Sequence, residues 1–95
     1  MRFEWDPAKA ATNLRKHSVS FHEAVSVFYD PLATTGGDPD HSHDEERFVT
    51  FGFSSEERLI VVSHTGCDEA IRIISARRAT HAEREIYEEG KTPNG

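Results

Sequence analysis

Three short runs between Arg47 and Ala76 carry apolar residues with the period of a strand, and the segments on either side follow a helical period. The runs are "RFVTFGF" (Arg47 to Phe53), "RLIVVSH" (Arg58 to His64) and "AIRIISA" (Ala70 to Ala76), separated only by "SSEE" and "TGCDE". Linkers this short predict an antiparallel meander, because a parallel pair needs a crossover of about a dozen residues or more. At the start of the chain "RFEW" (Arg2 to Trp5) alternates about two aromatics and predicts a first strand.

Helix signals fill most of the rest. Asp6 followed by Pro7 has the form of an N-cap and first helical residue, so "PAKAATNLRK" predicts a short helix that stops near "KHS". Ser20 and Glu23 stand at capping-box spacing, with Phe21, Ala24, Val25 and Phe28 on one helical face behind them. Thr80 and Glu83 repeat that spacing and open a last helix, "HAEREIYEE", that ends at Gly90. Between the second helix and the meander lies "YDPLATTGGDPDHSHDEE", where two Asp-Pro pairs and a Gly-Gly punctuate turns and predict a loop of functional length. The element order β-α-α-β-β-β-α predicts a single α+β domain over residues 1–90, followed by a flexible tail at 91–95. Its sheet is expected to be four-stranded and mainly antiparallel, with two helices packed on one face and the other face partly open.

Composition narrows the function classes. Ninety-five residues suit one core. No apolar run approaches the roughly 18 residues of a membrane span, and the charged N-terminus lacks the apolar region of a signal peptide, so a cytoplasmic protein is expected. Cys67 is the single cysteine, which fits a reducing compartment and excludes an internal disulfide. Its neighbours Asp68 and Glu69 would raise the thiol pKa, so it is read as incidental.

The formal net charge of -6 argues against a surface coated for nucleic acid, but the charges are segregated. "DPDHSHDEE" (Asp38 to Glu46) holds five carboxylates and no Lys or Arg, whereas "KAATNLRK" (Lys9 to Lys16) holds three cations and no acid. In "IRIISARRAT" (Ile71 to Thr80) three arginines adjoin an apolar strand. Strict alternation places Ile71, Ile73 and Ser75 on one face and Arg72, Ile74 and Ala76 on the other. The guanidinium fork suits phosphate, since it grips two oxygens and never deprotonates. Arg72, Arg77 and Arg78 therefore either form an anion site or pair with surplus carboxylates such as Glu83, Glu85 and Glu88.

Six histidines add groups that titrate near neutral pH. His64, ending a strand, and His81, opening the last helix, are placed to flank Arg72 on the open face. Asp40, His41, His43 and Asp44 offer mixed metal donors, but an H-x-H pair without a distant third ligand does not specify a metal site, and the segment reads as an acidic loop. No nucleophile elbow, Cys-His-Asn pattern or phosphate-cradling glycine loop is present.

Several segments together resemble the BrnT toxins of bacterial type II toxin-antitoxin modules: "FEWDPAKAATNLRKH" (Phe3 to His17), "VSFHEAVSVFYDP" (Val19 to Pro31), "DHSHDEERFVTFG" (Asp40 to Gly52), "LIVVSHT" (Leu59 to Thr65) and "IRIISARRATHAEREIYE" (Ile71 to Glu88). The resemblance implies a RelE-like fold, cleavage of RNA without a metal or other cofactor, inhibition of translation, and silencing by a BrnA-type antitoxin through which alone operator DNA is reached. It also implies that Arg72 and Arg77 contact the phosphate, that His64 serves as base or acid, and that Lys16, His17, Glu46, Arg47, Arg78 and Tyr87 line the substrate cleft. The chain departs from the family pattern in two places: Gly66 and Cys67 stand in a turn that is often basic, and Ser18 stands where glycine is usual. A catalytically inactive module, retained to assemble with a DNA-binding antitoxin and repress its operon, is the alternative.

Overall fold

The computed structural model describes residues 1–37, 46–67 and 69–89; the acidic segment with its candidate metal ligands and the C-terminal tail lie outside them. The elements are β1 (Arg2–Glu4), α1 (Pro7–His17), α2 (Phe21–Val27), β2 (Thr34–Gly37), β3 (Arg47–Phe53), β4 (Leu59–Cys67), β5 (Ala70–Arg78) and α3 (His81–Glu89). They form one α+β unit with a mixed, five-stranded sheet in the order β1-β5-β4-β3-β2.

Two parts of the predicted sheet need correction. A fifth strand, β2, occupies part of the segment read as loop, pairing antiparallel with β3. Its sequence, "TTGG", carries no apolar alternation because all four residues are exposed at the sheet edge. And β1 pairs in parallel with β5, with Glu4 opposite Arg72, so the sheet is mixed. The long stretch between β1 and β5 supplies the crossover that a parallel pair requires.

The helix starts follow the predicted chemistry. The Ala8 N–H donates to Asp6 Oδ1 at 2.8 Å with Pro7 next to the cap. Glu23 N–H donates to Ser20 Oγ at 3.0 Å. At α3 the box is reciprocal, with Thr80 N–H donating to Glu83 Oε1 (2.9 Å) and Glu83 N–H to Thr80 Oγ1 (3.2 Å). Helix α1 ends at Ser18, held in the left-handed region at φ 57° with its N–H on the Leu14 carbonyl. That is a conformation glycine adopts without strain and serine does not.

Helices α1 and α2 cover one face of the sheet. Phe21, Ala24 and Val27 of α2 pack with Val19, Ile60, Val62, Ile73 and Ala76 in the core, flanked by Phe3, Trp5, Ala10, Phe28 and Ile71. Glu23, buried in α2, binds Arg58 through both carboxylate oxygens and accepts from Ser54 Oγ at 2.6 Å; Arg58 also donates to the Ser18 carbonyl at 2.9 Å. The Arg58 guanidinium is the main reason the Glu23 carboxyl is held below its ordinary pKa, and the cluster pins the β3–β4 turn to the helix layer.

Helix α1 takes the place of a strand along β5. Because β1 pairs only as far as Arg72, the outer edge of β5 beyond it lacks a strand partner. Asn13 fills the gap: its Nδ2 donates to the Val19 and Ala76 carbonyls at 2.9 and 2.8 Å, and its Oδ1 accepts from Ala76 N–H at 3.1 Å. The side-chain amide thus mimics a backbone neighbour at an edge that would otherwise leave buried polar groups unpaired.

Candidate functional site

The second face of the sheet carries the arginines, and a β-bulge puts them there. Strand β5 pairs Ser75 with Ser63 but Ile73 with His64, so Ile74 is an extra residue opposite the Ser63/His64 step. Ile73 and Ala76 consequently both enter the core, although strict alternation had placed them on opposite faces. The same phase shift turns Arg72 and Arg77, five residues apart, onto one face; without it they would point to opposite sides. Arg72 faces across from Thr65, Arg77 from Val61, and Arg47 of β3 also from Thr65.

Each of the two β5 arginines holds a carboxylate. Arg72 Nη1 lies 3.2 Å from Glu4 Oε2, with both side chains about two-fifths exposed. Arg77 grips Glu83 with a fork, Nη1 to Oε1 at 2.7 Å and Nη2 to Oε2 at 2.9 Å. The Arg77 guanidinium, ahead of the capping bonds to Thr80, lowers the Glu83 pKa to about 2. Both readings of these arginines therefore stay compatible with the geometry: the carboxylate pairing is present, and the guanidinium groups remain reachable from solvent. Arg78, opposite Ile60, is exposed and turns to the other face at the strand end.

His64 does not join them. It sits opposite Ile73 on the helix-covered face, 6% exposed, its ring edge-on to Phe28 (4.9 Å between centroids) and stacked with Phe48 (5.9 Å). Nε2 is 2.7 Å from Thr50 Oγ1, which is itself 2.7 Å from Thr35 Oγ1. Burial pushes the imidazole pKa down, favouring the neutral ring. The expected grouping of His64 and His81 around Arg72 is thus corrected: the bulge places Arg72 and His64 on opposite faces, and His81 is exposed on α3 beside Glu85 at 3.0 Å.

The other expected positions separate similarly. Lys16 and His17 end α1, away from the arginine face but beside β5, where they line a groove of about 330 Å³ with Ala8, Lys9, Thr12, Asn13, Ile74 and Ser75. Glu46 is exposed just ahead of Arg47. Tyr87 is buried: its hydroxyl donates to Asp30 Oδ2 (3.1 Å) or the Leu32 carbonyl (3.2 Å), and its ring meets Phe53 edge-on at 5.8 Å. Burial, reinforced by Asp30, raises its pKa to about 12, and packing is the role these contacts give it.

Sequence reasoning passed over Glu4, Lys9, Thr12 and Ser75. Alternation in "RFEW" already sets Arg2 and Glu4 against Phe3, but nothing in a three-residue strand announces a partner 68 residues away. Among the described residues, no group of three or more His, Cys, Asp or Glu side chains is arranged to hold a metal, and no helix is long and apolar enough to cross a membrane.

Comparison with known proteins adds what geometry alone does not. The crystal structure of the Brucella abortus ribonuclease toxin BrnT shares this fold, with a TM-score of 0.63 and 24% sequence identity over 85% of this chain and 99% of that one. A search of curated proteins gave no match. The family model for the ribonuclease toxin BrnT of type II toxin-antitoxin systems matches residues 5–83, which span α1 to the first turn of α3 and include the whole meander. On that match, the chain belongs to the BrnT family of type II ribonuclease toxins.

Proposed function

We propose that this chain cleaves RNA without a metal, thereby inhibiting translation in the cytoplasm, and that a BrnA-type antitoxin silences it; its fold is read as RelE-like. The observation that carries the reading is the pair Arg72 and Arg77, turned by the bulge onto one face within reach of solvent. In such a reaction the ribose 2′-oxygen attacks the adjacent phosphorus and the bond to the 5′-oxygen breaks, leaving a 2′,3′-cyclic phosphate and a free 5′-hydroxyl. Arg72 and Arg77 offset the charge gathering on the phosphorane oxygens. In this reading Glu4, whose contact with Arg72 supports the role, takes the 2′-hydroxyl proton, and the leaving oxygen takes a proton from water. Arg47 extends the same face, with Glu46 next to it, and is a further substrate contact. His64, on the other face, receives no proton-transfer step.

One observation favours a second reading. Both arginines already hold carboxylates, as a former toxin kept for antitoxin binding and operon repression would tolerate. Operator DNA would then be reached only through the antitoxin. Expression of the chain alone in bacteria separates the two. Growth arrest with decay of cellular RNA, relieved by coexpressing the neighbouring antitoxin, is expected. Normal growth with intact RNA at good expression refutes the ribonuclease reading in favour of the binding module.

A further inference from the structure

The groove between α1 and the outer edge of β5 is not used by the reaction just described, and its lining is chemically one-sided. Lys9, Lys16 and His17 offer cationic or titratable nitrogen, Thr12 and Ser75 offer hydroxyls, and Ile74 with Ala8 supplies an apolar wall. No carboxylate lines it, and α1 as a whole contains none. Arg58, Arg72, Arg77 and Arg84 hold carboxylates, whereas Lys9, Lys16 and His17 have no ion-pair partner among the described residues. With Lys9 and Lys16 on its rim and no carboxylate in its lining, the groove presents positive charge that an anion can meet without displacing an internal partner.

The position of the groove identifies the kind of anion. Its β5 wall is the bulge itself, Ile74 and Ser75, the same irregularity that turns Arg72 and Arg77 onto the neighbouring face. A strand of phosphodiesters crossing β5 would meet the arginines on one side and the α1 lysines on the other. Lys9 and Lys16 are two helical turns apart, about 10 Å along the axis, so they address more than one point of an extended ligand. From this we infer that the α1 groove is a second subsite for single-stranded RNA, holding the backbone next to the phosphate at Arg72 and Arg77, with a ribose against Ile74. The choice of ligand rests on the ribonuclease reading.

A fluorescein-labelled, single-stranded 2′-O-methyl oligonucleotide, which lacks the attacking hydroxyl, tests the subsite by anisotropy over a range of salt. The Lys9→Gln, Lys16→Gln double variant should bind about tenfold or more weakly, and the slope of log affinity against log salt should fall by about 1.4, near 0.7 per charge lost on a single strand. Lys9→Arg with Lys16→Arg should bind like the wild-type chain, and circular dichroism should show both variants folded. Unchanged affinity and slope in the folded glutamine variant overturns the inference. So does tighter binding of poly-glutamate that competes for the same lysines, which would assign the groove to an acidic protein segment. The two proposals fail separately. Lysine-dependent binding by a chain that never cuts RNA refutes the ribonuclease reading alone, and cleavage with wild-type KM by the glutamine variant refutes the subsite alone.

Discussion

On the helix-covered face of the sheet, polar side chains are buried and each has a fixed partner. Asn13 closes three hydrogen bonds on backbone groups, Glu23 holds Arg58 and Ser54, and His64 meets Thr50. Among the described residues no buried side-chain nitrogen or oxygen lacks a partner. The arginine face also buries Leu59, Val61 and Thr65, and Arg77 holds Glu83 in a part-buried fork, but its Arg72–Glu4 pair lies at the surface, with both side chains about two-fifths exposed. The difference is one of exchange. A buried pair cannot trade its partner for a ligand without a large desolvation penalty, whereas an exposed ion pair contributes about 0–1 kcal/mol and can release its arginine to a phosphate at little cost. The covered face therefore has no pair that exchanges readily, whereas the exposed Arg72–Glu4 pair on the other face can give up its carboxylate for a ligand.

Substitutions on the two faces should separate accordingly. The largest loss of stability is expected on the covered face for Ile73→Ala. Ile73 is 1% exposed in the centre of the core, and its truncation should cost about 2–5 kcal/mol in denaturant unfolding. A cost below about 1 kcal/mol would show that the core is not centred there. Asn13→Leu keeps the volume but strands the Ala76 N–H and carbonyl groups, and a cost of about 1–3 kcal/mol is expected from the same measurement.

His64 makes the contrast visible in pH. Because burial depresses its pKa in the folded state below the usual value of about 6.5, the unfolded chain binds its proton more readily. The stability it contributes is present above about pH 6.5 and is lost as the pH falls toward the folded value. His64→Gln should flatten the stability curve between about pH 7 and 5; a curve unchanged from the wild type would mean that His64 is not desolvated. The smallest effect is expected at Ser18, where Ser18→Gly relieves a left-handed residue and should raise stability by about 0.5–1 kcal/mol in thermal unfolding.

Much of the covered face was legible in the chain. The caps at Asp6, Ser20 and Thr80 and the three meander strands follow from short-range rules, but β4 runs on through Cys67, into the segment read as a turn, and β5 through Arg78. The arginine face was less legible because it depends on register. A single extra residue at Ile74 reverses the phase of everything beyond it, and nothing in "IRIISARR" distinguishes a bulged strand from a regular one. The β1–β5 pairing that brings Glu4 to Arg72 joins residues 68 apart, and "TTGG" becomes a strand only because β3 offers an edge. Where a property came from long-range pairing, local pattern was silent.

The most direct test of this division is RNA cleavage by the purified chain in the presence of a chelator, comparing the wild type with Arg72→Ala and Arg77→Ala and measuring unfolding on the same preparations. The account predicts that the wild type yields 2′,3′-cyclic phosphate ends. Each arginine variant should cut about 10²- to 10³-fold more slowly, while the exposed Arg72→Ala keeps its stability within about 0.5 kcal/mol. Cleavage by both variants at the wild-type rate, or loss of activity that tracks unfolding alone, would contradict it.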